Sequence, residues 1–112
     1  MSEDSAVPVA VFAEVVALPG RREEVLGAAR EAFAAALEEP GTAVYSIHVC
    51  EGEPDTVRFY EVYDDAEARA AHSGSEAIAQ LVGALGGLLA QPPRIVATTP
   101  VMAKGHAADG RG

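Results

Sequence analysis

The stretch Glu38–His72, EEPGTAVYSIHVCEGEPDTVRFYEVYDDAEARAAH, decides the fold. It opens on a helix end, because Pro40 removes a backbone donor and Gly41 leaves the helical region easily. Thr42–Cys50 then alternates as a strand, with Ala43, Tyr45, Ile47 and Val49 on one side and Val44, Ser46, His48 and Cys50 on the other. Glu51–Asp55, EGEPD, has hairpin-loop composition. Thr56–Tyr63 reads as the returning strand, with Val57, Phe59, Glu61 and Tyr63 sharing a face. Asp64 or Asp65 supplies an N-cap for a short helix through Ala71. His72 stands at its end, before the Ser73-Gly74-Ser75 break. Most polar groups able to do chemistry lie in this stretch: Tyr45, His48, Cys50, Glu61, Tyr63 and His72.

Upstream, Pro8–Leu18 is a β-rich run ended by Pro19-Gly20. Val9, Val11, Ala13, Val15 and Ala17 form one face; Ala10, Phe12, Glu14, Val16 and Leu18 form the other. Both faces are largely apolar, the mark of a strand covered on two sides. Arg21–Glu38 carries Val25, Leu26, Ala29, Phe33, Ala36 and Leu37 at the helical period. Downstream, Ile78, Leu81, Val82, Leu85, Leu88 and Leu89 form a second stripe, predicted to run as helix until Pro92-Pro93. Gly83, Gly86 and Gly87 within it each cost about 1 kcal/mol relative to Ala. Arg94–Lys104 reads as a last strand.

The order β-α-β-β-α-β predicts an α+β, ferredoxin-like fold: a four-stranded antiparallel sheet with helices on one face. The apolar second face of the first strand then needs a cover, and the simplest is another copy of the chain. The expectation is a homodimer packed sheet to sheet, a dimeric α+β barrel. Residues 8–104 are read as one domain between a flexible amino terminus, 1–7, and a flexible tail, 105–112.

Composition narrows the function classes. The 112 residues carry a net charge of −9, and 49% are apolar. An acidic surface repels phosphate backbones and anionic lipid, so nucleic-acid and membrane partners are not expected. The amino terminus is acidic where a signal peptide is basic. The longest helix-compatible apolar run, Leu81–Ala90, is about half of the ~20 residues that span a bilayer. The simplest location is cytoplasmic. A single cysteine, Cys50, excludes an internal disulfide.

Taken as residues alone, His48 and Cys50, two apart on one strand face, have a spacing that can hold a metal, but no third ligand is evident and none is expected. Cys50 has no cationic sequence neighbour to activate its thiol. No Walker loop, Rossmann glycine pattern or nucleophile elbow is present. Glu61 in an apolar strand has a raised pKa unless it is paired; a salt bridge to an Arg and a catalytic role both fit. Tyr63 reads either as a core aromatic with its hydroxyl at a rim or as a group that orients a substrate hydroxyl. Tyr45 reads as core, Glu14 as directed toward the dimer interior, and His106 as inert. Imidazole titrates near neutral pH, so His72 reads either as a base or as a cap on helix carbonyls.

Several pieces in order resemble the antibiotic biosynthesis monooxygenase family, which includes quinol monooxygenases. They are Val11-Phe12-Ala13-Glu14 leading to Pro19-Gly20, Glu39-Pro40-Gly41 with Tyr45 beyond it, Glu61-Val62-Tyr63, Ala66, Ala71-His72, and Pro92-Pro93. The similarity spans about residues 8–104. It implies a dimeric α+β barrel that oxidises electron-rich phenols, hydroquinones or polyketide-type aromatics with O2, using no cofactor, in a pocket between sheet and helices. It further implies His72, Tyr63 and Glu61 as catalytic groups, with Tyr45, Phe59, Ala13, Val11, Leu81 and Leu85 against the substrate. The family usually has Trp in place of Tyr63 and often a second His in place of Ala77. Heme-degrading relatives place an axial His on the last helix, where Glu76–Ala90 has none. Isomerase relatives need a basic pocket, and this chain has one Lys. A non-catalytic dimeric module binding an aromatic metabolite, or a cyclase or isomerase on similar ligands, are the competing readings.

Overall fold

The computed structural model describes residues 7–105. The expected flexible segments therefore fall almost wholly outside the described residues, and His106 does too. The elements are β1 (Val9–Val16), α1 (Arg22–Ala36), β2 (Thr42–Cys50), β3 (Glu53–Tyr63), α2 (Ala66–Ser73), α3 (Glu76–Leu85) and β4 (Arg94–Thr98). The sheet order is β2-β3-β1-β4 with every neighbouring pair antiparallel. This is the expected α+β, ferredoxin-like layout, with α2 and α3 separated at the expected Ser73-Gly74-Ser75 break.

The register sets the two faces. Ala13 lies opposite both Phe59 and Ile95, and Glu14 opposite both Arg58 and Arg94. Odd-numbered residues of β1 thus point to the helices and even-numbered ones to the far side. The main core joins Val15, Ala17, Val57 and Phe59 of the sheet side to Val25 and Ala29 of α1 and Leu85 of α3. The buried stripe of α1 is Val25, Ala29, Ala32 and Ala36. Small residues there let the helix lie close to the sheet. Phe33 and Leu37, expected on that stripe, are exposed, Leu37 to 68%. Phe33 instead sits at the edge, its ring 6.4 Å from Tyr45.

Three boundaries differ from expectation. The hairpin loop is a tight turn at Glu51-Gly52, with Gly52 at φ +80, and Glu53–Asp55 already belong to β3. A positive φ is readily adopted by glycine and shortens the loop. The stripe through Leu89 is not one helix. It stops at Leu85, with Gly86 as cap and Gly87 at φ +86, so the glycines and not Pro92-Pro93 end it. Leu88 and Leu89 still pack on the core, and their backbone bonds to the end of β1: Leu18 N donates to Leu88 O and Ala90 N to Val16 O, both at 2.8 Å. Finally, β4 ends at Thr98, short of Lys104. Pro100 has no N–H for the ladder, and Val101 and Met102 beyond it are exposed.

Two short connections hold α2 in place. Asp65 caps it, its carboxylate accepting from Ala68 N at 2.8 Å. The turn after α1 presses against the helix: a Cβ on Gly41 would stand 2.6 Å from Ala68 Cβ. Gly41 is thus required for close approach, and its carbonyl accepts from Asp64 N at 2.9 Å.

Helices cover one side of the sheet. On the other, Phe12 is 50% exposed, stacked 5.1 Å from Tyr60, and Val96 is also exposed. Ala10 and Val62 are buried there beside Val44 and Tyr60. Among the described residues no helix is long and apolar enough to cross a membrane.

Candidate active site

Between the sheet and helices α2 and α3 lies a cavity of about 160 Å³. Its floor is Val11 and Ala13 of β1, Tyr45 of β2, and Phe59 and Glu61 of β3. Leu81 and Leu85 of α3 close it from above, and α2 contributes His72. Eight of the nine residues expected at the site are therefore brought together around one space. The alternation that puts odd-numbered β1 and β3 residues on the helix face accounts for the floor.

His72 is 5% exposed, unusual for a helix-terminal histidine on a short amphipathic turn. Its Nδ1 lies 2.8 Å from Glu39 Oε1, and Thr42 Oγ1 donates to the same oxygen at 2.7 Å. A carboxylate only accepts, so Nδ1 carries the hydrogen, an assignment made from its partner. In the neutral ring Nε2 is then the basic nitrogen. Tyr45 and Tyr63 flank the imidazole, each with a ring centroid 5.2 Å away. The ring is fixed in orientation by one carboxylate and in place by two aromatic neighbours.

Tyr63 does not line the cavity. It is completely buried, and its hydroxyl donates to Glu61 Oε1 at 2.5 Å. It touches that space only through Glu61, in place of the direct contact expected. The salt bridge to an Arg considered for Glu61 is replaced by this bond. Burial pushes the Glu61 carboxyl above the usual carboxylate range, opposed by the Tyr63 hydrogen bond and by the charges of His72 and Arg69. Burial also drives both the Tyr45 and Tyr63 phenols far above their usual value, with nearby Glu61 adding to it. Both tyrosines are thus fixed as protonated hydroxyls at neutral pH.

Glu39 and Arg69 were absent from the expected set. Glu39 sits 33 positions from His72, and no local spacing relates the two. Only its place in the Glu-Pro-Gly turn marked it. Arg69 precedes His72 by three residues on α2, a spacing that shares a helix face.

A larger concavity, about 620 Å³, lies on the outer face, around Phe12, Glu14, His48, Cys50, Arg58 and Arg94. It is more open than the first, and its Arg58 is already paired. Arg58 bonds Glu14 at 2.9 Å and Glu53 at 3.2 Å. His48 Nε2 lies 2.8 Å from Ser46 Oγ. Among the described residues no group of three or more His, Cys, Asp or Glu is arranged to hold a metal. The smaller cavity is the better candidate because Glu61 and His72 are buried and line one space with apolar walls.

Residues 8–84 match the family profile described as antibiotic biosynthesis monooxygenase. Solved structures share the architecture. A Shewanella oneidensis protein is 20% identical with a TM-score of 0.80, over 85% of this chain and 92% of its own. A Nitrosomonas europaea protein of unknown function is 25% identical with a TM-score of 0.78, over 89% and 95%. A candidate antibiotic biosynthesis monooxygenase from Nitrosomonas europaea is 18% identical with a TM-score of 0.82, over 89% and 96%. No functionally curated protein matches the chain.

Proposed function

We propose that this chain, which belongs to the antibiotic biosynthesis monooxygenase family, oxidises a quinol or related electron-rich phenol with O2 without an added cofactor. The observation that carries this is the buried His72 on the cavity wall, its Nδ1 held by Glu39 so that Nε2 is left basic. A cofactor-free oxygenase needs a dry pocket, a base that makes an electron-rich phenolate, and donors for the anion formed from it. The cavity wall supplies the first with Val11, Ala13, Phe59, Leu81 and Leu85. His72 supplies the second. The Tyr45 hydroxyl on the cavity wall, kept protonated by burial, supplies a donor, and Glu61, held by Tyr63, orients the substrate hydroxyl.

In this reading His72 Nε2 accepts the proton of one quinol hydroxyl. The quinolate passes one electron to O2, and the two radicals combine as a carbon–oxygen bond on the ring. His72 returns its proton to the peroxide. The O–O bond then breaks as the ring C–H hydrogen leaves, releasing water. Quinol plus O2 thus gives hydroxyquinone plus water, with one oxygen atom retained and no external reductant.

The test is oxygen uptake by chelator-treated protein with a panel of quinols and anthrones, with labelled O2 to trace the retained atom. One labelled oxygen in the product is expected. Product formed without uptake would replace the oxygenase reading by a cyclase or isomerase. Tight binding with no turnover would replace it by a binding module.

We infer also that two copies pair through their outer sheet faces. Phe12 and Val96 stand exposed there beside Tyr60, with the Glu14–Arg58 pair between the strands. A dimer mass at micromolar concentration, lost in Phe12→Glu, supports the pairing; a clean monomer contradicts it.

A further inference from the structure

The cavity wall mixes buried and exposed groups. Its buried members include Glu61 and His72, with the Glu39 carboxylate bonded to the imidazole. Its exposed members include Ser73, Val82, Pro93 and Ile95; Val82 is 63% exposed and Ile95 59%. Arg69 lines it too, half-buried, on the same face of α2 as His72 and Ser73, three residues before the one and four before the other. In a chain of net charge −9, this is the one guanidinium on the cavity wall among the described residues.

Size adds a second constraint. The cavity's volume, about 160 Å³, is close to the ~150 Å³ of an apolar cavity that holds one benzene molecule. The wall suits one ring, and Arg69 and Ser73 are the polar groups left for a substituent on it. A carboxylate is favoured beside Arg69, whose planar fork suits it.

We propose that the site selects a single-ring phenol carrying a short carboxylate side chain, the ring seated against Phe59 and His72 and the carboxylate held by Arg69 with Ser73. Arg69 is thus a specificity residue. The assignment rests on the pocket of the proposed function, and concerns which ligands enter it rather than the reaction they undergo there.

The test measures binding under nitrogen, so that turnover plays no part. Homogentisate (2,5-dihydroxyphenylacetate) and its methyl ester are titrated calorimetrically into the full-length protein, into Arg69→Gln and into Arg69→Lys. The acid is expected to bind about ten-fold more tightly than the ester, the scale of one partly exposed charge-assisted contact. Arg69→Gln should erase that preference and Arg69→Lys keep part of it. Added salt should narrow it in the unmodified protein, a readout that needs no variant to fold. Equal affinities, a preference that survives Arg69→Gln, or binding of neither compound would overturn the proposal. Acid-selective binding without oxygen uptake in air would leave it standing and remove the oxygenase reading instead. Oxygen uptake with no preference for the acid over the ester, in the unmodified protein and in Arg69→Gln alike, would do the reverse.

Discussion

The two faces of this one sheet carry similar chemical inventories and opposite environments. The helix face has a histidine, a carboxylate, an arginine and a tyrosine on the wall of a small cavity, with Glu39 and Tyr63 hydrogen-bonded behind them. The outer face has a histidine, a cysteine, two arginines and a carboxylate around a space about 620 Å³ in size, but open to solvent. In the single chain water reaches the second set, and Arg58 pairs with Glu14 and Glu53 in ion pairs of little energetic value. Burial does the reverse on the first face, moving the carboxyl and phenols of Glu61, Tyr45 and Tyr63 upward. Burial of the titratable groups, not their number, marks the candidate site.

The sharpest way to break this comparison is to remove one histidine from each face. His72→Asn keeps an amide donor near the Nδ1 position for Glu39 and deletes the base; quinol-dependent oxygen uptake should fall by about 10²–10⁴-fold. His48→Gln should leave the rate within about two-fold, since a solvent-exposed hydrogen-bonded group contributes little to chemistry in the other layer. Steady-state rates settle it, and comparable losses in both variants would dissolve the distinction.

Stability offers a second contrast of similar design. Phe59 is 5% exposed and Phe12 50%, on neighbouring strands. Phe59→Ala should cost about 3–5 kcal/mol through lost burial and the cavity left behind. Phe12→Ala should cost less than half of that within one chain, and should weaken association of two copies more than folding. Urea unfolding across a range of protein concentrations separates the two effects.

The smallest effect is on pH dependence. The Glu61 carboxyl titrates above the ordinary 4.5. Between 4.5 and its own higher value the folded chain holds a proton that the unfolded chain has released. Its contribution to stability is full below the ordinary value and declines as pH rises through that window. Glu61→Gln cannot ionise and should flatten this decline. Urea midpoints taken at intervals from about pH 4 upward test it; an unchanged slope would mean that Glu61 is not the buried acid described.

Much of this frame is readable in the sequence. Alternation in Thr42–Cys50 and Thr56–Tyr63 identifies the hairpin, and the odd-numbered faces of β1 and β3 do become the pocket floor. Alternation reports side, not depth, which is why Tyr63 is expected against the ligand and is found behind Glu61. Periodicity carries the last helix too far, because Leu88 and Leu89 continue the stripe while Gly86-Gly87 end the helix. The Glu39–His72 bond joins two turns of the fold across 33 positions. No local pattern encodes such a contact. Arg69 is unremarkable on a charged short helix until the cavity wall gives it a setting.

The most direct measurement tracks the histidine ring signals by NMR while a quinol is titrated under nitrogen, with the three histidines assigned by substitution. The account predicts that the His72 ring resonances shift with saturation while those of His48 stay in place. A shift of His48 with His72 unmoved would put the ligand on the open face of the sheet and contradict the assignment of the helix-side cavity as the site.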